Sequence, residues 1–182
     1  MRFEVSRILA GAVNGLSTRR IWEELRIQGP KVSWHNLVWF PGRIPEQSTI
    51  LWMIILDMLP TRTRLLRMGL NIDTDNFAKE LWGNVFSLCG IMRNVSTWDR
   101  ELEWATKLLK GKSLIVRILK LALAGHVYAL WCERNSILFG DRARLVGDVL
   151  NDIRDTIQIR LNNWSICKSN SRNIALCEKW GI

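Results

Sequence analysis

The sequence predicts an all-α fold, an irregular bundle of about six to seven helices with a loose C-terminal tail. Hydrophobic residues recur three and four positions apart, which is typical of amphipathic helices, and no segment sustains the alternation of a half-buried strand. Hydrophobic residues make up 48% of the 182 positions, so the chain can bury a sizeable core. One helical domain with a tail is therefore expected.

Short helices are expected in the first 70 residues, where hydrophobic residues at helical spacing are followed by Pro or Gly. The expected helices span residues 17–29, 34–38, 47–58 and 61–69. Pro45 precedes the third of them and suits the first turn of a helix, where its missing N–H costs nothing.

Longer helices are expected in the rest of the chain, at residues 73–88, 97–109, 113–139 and 142–164. The segment from Leu121 to Trp131 is hydrophobic nearly all round, which predicts a helix at the centre of the core. No apolar run reaches the roughly 20 residues that a transmembrane helix requires, so no membrane association is expected. The stretch CKSNSRNIALCEKWGI is polar at first, which predicts a loose tail over residues 165–182.

The charge distribution favours a polyanionic partner. The net charge is +9, with ten basic against five acidic residues in 1–70 and eleven against six in 111–182. These two basic flanks enclose a near-neutral middle and favour RNA, DNA or an anionic surface. A basic protein without such a partner is the alternative.

The cysteines indicate an intracellular protein, in the nucleus or the cytoplasm. They are far apart in sequence and no secretory signal precedes them, so reduced thiols are expected. The four positions are Cys89, Cys132, Cys167 and Cys177.

A long segment carries a family resemblance. It reads IWEELRIQGPKVSWHNLVWFPGRIPEQSTILWMIILDMLPTRTRLLRMGL, and its motifs LVWFPGRIP and LPTRTRL, with WCERNSILF farther on, stand in one order. The segment closely resembles the zinc-binding region of reverse transcriptases from plant LINE-type (non-LTR) retrotransposons. The resemblance implies a degenerate zinc-binding-like domain (22–139), preceded by an N-terminal extension (1–21). Hydrophobic periodicity and composition predict the remaining parts, an amphipathic helix (140–164) and a flexible tail (165–182).

The resemblance also implies a zinc ion, but the ligands that the family carries are absent here. Family members have two closely spaced cysteines, then a histidine and a third cysteine, whereas this chain runs through NIDTDNFAKELWGNVFSLCG. The metal-binding stretch is therefore interpreted as deleted, and no cofactor is expected. A distant set of Cys89, Cys132, His126 and His35 is conceivable, but Cys89 is expected to be a helix-packing residue.

The chain is not expected to be an enzyme. Reverse transcriptases resemble other polymerases in requiring a Tyr-x-Asp-Asp box, and the single tyrosine, Tyr128, is followed by Ala-Leu-Trp. Asp73 and Asp75 have the composition of a helix N-terminus, and His126 is interpreted as a satisfied core or groove histidine. No small-molecule substrate is expected, and no protein partner is indicated.

The basic residues of the resembling segment are the candidate nucleic-acid site: Lys31, Arg43, Arg62, Arg64 and Arg67. Guanidinium groups one helical turn apart can contact successive phosphates, although a solvated charged face is equally compatible. The tryptophans nearby could stack on bases, but core packing is the expected role. The sequence thus predicts a non-catalytic, retrotransposon-derived domain with weak electrostatic nucleic-acid binding, or alternatively a structural remnant without activity.

Overall fold

The computed structural model describes residues 32–59, 74–139, 144–162 and 170–182. Those ranges contain seven helices and no strand, which confirms the all-α fold. The helices are α1 (His35–Val38), α2 (Pro45–Ile55), α3 (Thr74–Leu88), α4 (Trp98–Leu108), α5 (Leu114–Leu138), α6 (Val146–Leu161) and α7 (Ser171–Trp180). The helices expected at 17–29 and 61–69 lie outside the described residues. Residues 33–182 form one compact unit.

Helix α5 lies at the centre of this unit, as its composition predicts. It packs against α1, α2, α3, α6 and α7. Ile118, Ala122 and Leu123 on this helix are at most 2% exposed. Contrary to the expectation from sequence, residues 114–137 are long and apolar enough to cross a membrane. In the structure, 61% of the most apolar window of this helix is buried inside the protein.

Helix α2 runs from Pro45 to Ile55, so it starts and ends earlier than the expected span of 47–58. Pro45 occupies its first turn. The helix stops at Ile55 because Asp57 has a left-handed backbone conformation, with φ of 53°. The Met58 N–H then donates to the carbonyl of Met53 at 2.8 Å, which closes the end of the helix.

Residues 170–182 differ from the expected loose tail. They form α7, which packs against α3, α5 and α6, and Trp180 is fully buried. The Asn170 side chain accepts a hydrogen bond from the backbone N–H of Arg172 at the start of the helix, and Gly181, with φ of 69°, ends it. The polar residues at its start conceal an amphipathic helix with a cap at each end. Residues 165–169 lie outside the described part of the chain.

A buried carboxylate joins α3 and α4 to the segment between them. Glu101 is 5% exposed, and its oxygens accept from both Arg93 Nη atoms, at 2.9 and 2.7 Å. They also accept from Trp82 Nε1 at 3.2 Å and from the backbone N–H of Ser96 at 2.8 Å. The Arg93 guanidinium lies 4.6 Å from the ring centre of Trp104. Glu101 therefore has a charge-assisted partner and a saturated set of hydrogen bonds.

A second ion-pair network joins α5 to α6. Glu133 is 7% exposed and accepts hydrogen bonds from the side chain and the backbone N–H of Arg144. Arg144 also donates through Nη1 to Asp152 at 2.6 Å. These contacts fix the start of α6 on the last turns of α5.

Candidate nucleic-acid interface

Arg43 is the one residue of the sequence-predicted site that lies in the described ranges. It follows α1 in a turn whose carbonyls are held by Arg160 on α6, which donates to Gly42 O at 2.7 Å and to Arg43 O at 2.9 Å. The Arg43 guanidinium lies 5.3 Å from the ring centre of Trp39. Lys31, Arg62, Arg64 and Arg67 lie outside the described residues, so their proposed clustering stays a prediction.

A cavity of about 380 Å³ lies beside this turn and is lined by basic and aromatic side chains. We call it the basic pocket. One wall comes from α1 and the turn after it, and the other from the α4–α5 loop and the first turns of α5. The lining residues are Asn36, Trp39, Phe40, Pro41, Lys110, Gly111, Lys112, Arg117 and Lys120. None of these is acidic, so the pocket favours an anion.

Lys120 is the most buried charge in the basic pocket. The residue is 5% exposed, and burial lowers the pKa of its ammonium group. Its Nζ donates to the carbonyl of Asn36 at 2.9 Å and lies 5.5 Å from the ring centre of Phe40. Among the described residues no carboxylate forms an ion pair with Lys120. Because an ammonium group has three donors, a buried lysine without a counter-ion among the described residues has unused capacity for an anion.

The other cations of the basic pocket are more exposed. Arg117 Nε donates to the carbonyl of Lys112 at 3.0 Å, which fixes the loop against the start of α5. Lys110 and Lys112 are exposed on either side of Gly111. Arg117 and Lys120 stand one helical turn apart on α5. Four cations thus surround one cavity, an arrangement that can neutralise a phosphate group.

The sequence interpretation missed these four residues. The signal was present in LKGKSLIVRILK, which has two lysines around a glycine and then a basic pair at i and i+3 on a helix. The same i and i+3 criterion selects Arg64 and Arg67. The hydrophobic residues of this run predict the start of the core helix, and they conceal the pattern of the basic residues.

The tryptophans of the first described segment are half-buried, in line with a mainly packing role. Trp34, Trp39 and Trp52 pack against the core. The rings of Trp39 and Trp52 lie 6.2 Å apart, and Arg43 occupies part of the remaining face of Trp39. These contacts involve Trp39 and Trp52 in packing within the protein, and Trp39 also contributes to the wall of the basic pocket.

The cysteines within the described residues are free thiols, and Cys89 packs in the core as predicted. Cys89 is 5% exposed at the end of α3. Burial raises the pKa of its thiol to about 12, although the Trp180 side chain and the Lys179 charge oppose the increase. Burial therefore disfavours the thiolate form of Cys89, in line with a packing role. No group of three or more His, Cys, Asp or Glu that could hold a metal occurs in the described ranges.

Part of the chain matches a known protein family. A family described as zinc-binding in reverse transcriptase matches residues 16–79, about a third of the chain. The match supports a reverse transcriptase zinc-binding domain in this part of the chain and suggests a retroelement origin. It includes α1, α2 and the first wall of the basic pocket, whereas Lys110 to Lys120 follow it. Neither the curated proteins nor the solved structures contain a significant match.

Proposed function

We propose that this chain is a non-catalytic, retrotransposon-derived domain that binds RNA or DNA weakly through electrostatic contacts. The observation that carries the proposal is the basic pocket, in which the buried ammonium of Lys120 has no carboxylate partner among the described residues. A phosphate in this pocket would supply the missing negative charge and could accept from more than one cation.

The composition of the pocket predicts weak binding with little sequence preference. Its charged groups recognise phosphates, which are common to all nucleic acids, and phosphate contacts carry no sequence information. The net charge of +9 adds a long-range attraction to any polyanion. The predicted cluster of Arg62, Arg64 and Arg67 would extend the contact beyond the pocket.

The retroelement of origin is proposed to be a plant LINE-type element, on the strength of the motifs LVWFPGRIP and LPTRTRL. We propose further that the zinc ligands of that family have been deleted from this chain. Zinc content, measured on protein purified without chelator, tests this part separately. A stoichiometric zinc ion would contradict the deletion and would leave the nucleic-acid proposal open to its own test.

The nucleic-acid proposal is tested by fluorescence anisotropy of labelled single-stranded RNA. If all four cations of the pocket contact phosphates, affinity should fall about 50-fold between about 50 and 200 mM salt, from a slope of about 0.7 per contact. The variant with Lys110→Glu and Lys112→Glu should bind more weakly and with about half that slope. Both side chains are exposed, so the fold should tolerate the change.

A matched control carries the same change in net charge elsewhere. Arg172→Glu with Lys179→Glu, both exposed on α7, should leave most of the affinity in place. Equal losses in the two variants would mean that net charge alone drives binding and that the basic pocket is not the site. No binding at the lower salt concentration would refute the proposal and favour the alternative, a structural remnant without biochemical activity.

A further inference from the structure

A second cavity, of about 350 Å³, lies between α3, α4 and α5. We call it the apolar cavity, because most of its wall consists of aliphatic side chains such as Ile54, Val95, Leu123, Val127 and Leu130. Trp82 and Trp98 add aromatic surface to the same wall. Its size lies within the range of small-molecule sites, which are mostly apolar with a few fixed polar groups.

His126 supplies a polar group in the wall of the apolar cavity. The residue is 7% exposed, and burial lowers the pKa of the imidazole to about 4, so the ring is neutral at pH 7. Its Nε2 lies 3.1 Å from the carbonyl oxygen of Ala78. Because a carbonyl can only accept, Nε2 must carry the proton, and Nδ1 is left with a free lone pair.

Within the described part of the chain, this Nδ1 acceptor has no hydrogen-bond partner. Of the buried side-chain atoms there that lack a partner, it is the one whose residue lines the apolar cavity. Of the other polar groups in the lining, Glu101 is saturated, Trp82 Nε1 donates to Glu101, and Lys79 and Thr97 are exposed. An unpaired buried acceptor is destabilising, and a ligand that donates a hydrogen bond to Nδ1 would remove that cost.

We propose that the apolar cavity binds a small planar aromatic molecule that carries one hydrogen-bond donor, an aromatic N–H or O–H group. The donor pairs with His126 Nδ1, and the ring contacts Trp82, whose ring centre lies 5.3 Å from that of His126. The aliphatic wall covers the rest of the molecule. The role is that of a bound ligand and requires no chemical step, and it does not depend on the basic pocket.

Two probes of nearly equal shape test this inference. Indole has the required N–H donor, and benzofuran has an oxygen in its place and no donor. Titrations followed by NMR should show indole binding about 10-fold more tightly, because benzofuran leaves Nδ1 unpaired. The ¹⁵N resonance of Nδ1, assigned from the two-histidine spectrum, should shift with indole and not with benzofuran.

Two variants locate the site. His126→Phe keeps a ring of similar size without the acceptor, and it should abolish the preference while benzofuran still binds. Val95→Trp should fill the cavity and abolish the binding of both probes.

Three results would overturn the proposal. They are equal affinity of the wild type for both probes, failure to bind either probe, and a preference for indole that survives His126→Phe. If His126→Phe does not fold, the proposal is tested by the wild-type titrations and by the ¹⁵N shift of Nδ1. A cavity filled only by water predicts no binding of either probe.

Discussion

Acidification should destabilise this protein, and one buried histidine, His126, should make a measurable contribution to the loss. His126 is buried and neutral in the folded state, and it becomes an ordinary solvated histidine on unfolding. Burial lowers its pKa from 6.5 to about 4, so between these values the unfolded state binds more protons than the folded state. The contribution of the neutral His126 to the free energy of unfolding is therefore complete above pH 6.5 and is lost as the pH falls toward 4.

The size of the loss follows from the shift in pKa. Each unit corresponds to 1.36 kcal/mol, so a histidine with these two values lowers the free energy of unfolding by about 2 kcal/mol at pH 5 and by about 3 kcal/mol at pH 4. The charged groups that share the apolar cavity do not offset this cost. The carboxylate of Glu101 is already paired with Arg93, and Lys79 would oppose a second positive charge.

The measurement is urea denaturation of the wild type and of His126→Gln from pH 7.5 to pH 4. Glutamine does not titrate, and its side-chain N–H₂ can replace Nε2 as the donor to Ala78. The difference between the two proteins cancels the contributions of the carboxylates. His35→Gln, at the other histidine, should follow the wild type. Parallel curves for the wild type and His126→Gln would refute the buried neutral histidine.

Three further predictions concern stability, each measured by urea denaturation at pH 7. Arg93→Ala should cost about 3 kcal/mol because it leaves the Glu101 carboxylate buried without its cation, whereas the exposed Arg100→Ala should cost little. Trp180→Ala should cost about 3–5 kcal/mol by opening a cavity between α7 and the core, and amide exchange should become fast in α7 first. Lys120→Met should leave the stability unchanged or raise it by about 1 kcal/mol, because it removes a buried charge without an ion-pair partner in the described residues.

For each of these three predictions, a different result would contradict the structural account. An Arg93→Ala variant as stable as the wild type would mean that water reaches Glu101. A Trp180→Ala variant with unchanged exchange in α7 would mean that α7 does not depend on its buried tryptophan. A strongly destabilised Lys120→Met variant would mean that the ammonium group has a stabilising partner.

Periodicity predicted most of the described fold. The long helix expected at 113–139 is observed at Leu114–Leu138, because a hydrophobic segment of this length is too long for a strand and favours a buried helix. Helix α7 was missed because the polar residues at its start resemble a linker. Its signals were Asn170 at one end and Gly181 at the other, with Leu176, Cys177 and Trp180 on one face between them.

The candidate sites were harder to predict because they depend on contacts between distant segments. Phe40 and Asn36 meet Lys120 only after α1 has packed on α5, and the sequence does not reveal that Lys120 is buried there. The interpretation of His126 as satisfied is correct for Nε2 and wrong for Nδ1. The residue type indicates a buried histidine, but the number of its partners depends on the packing of α3.

The buried charge of Lys120 provides a way to separate the two proposed roles. A buried ammonium without an ion-pair partner lowers stability, and such local costs are typical of functional sites, where a ligand supplies the missing partner. If the chain is a structural remnant, Lys120→Met should maintain or increase stability and change nothing else. If the chain binds nucleic acid through the basic pocket, the same substitution should maintain or increase stability and at the same time weaken RNA binding. Stability and RNA affinity measured on this one variant therefore test the functional proposal more directly than either measurement alone.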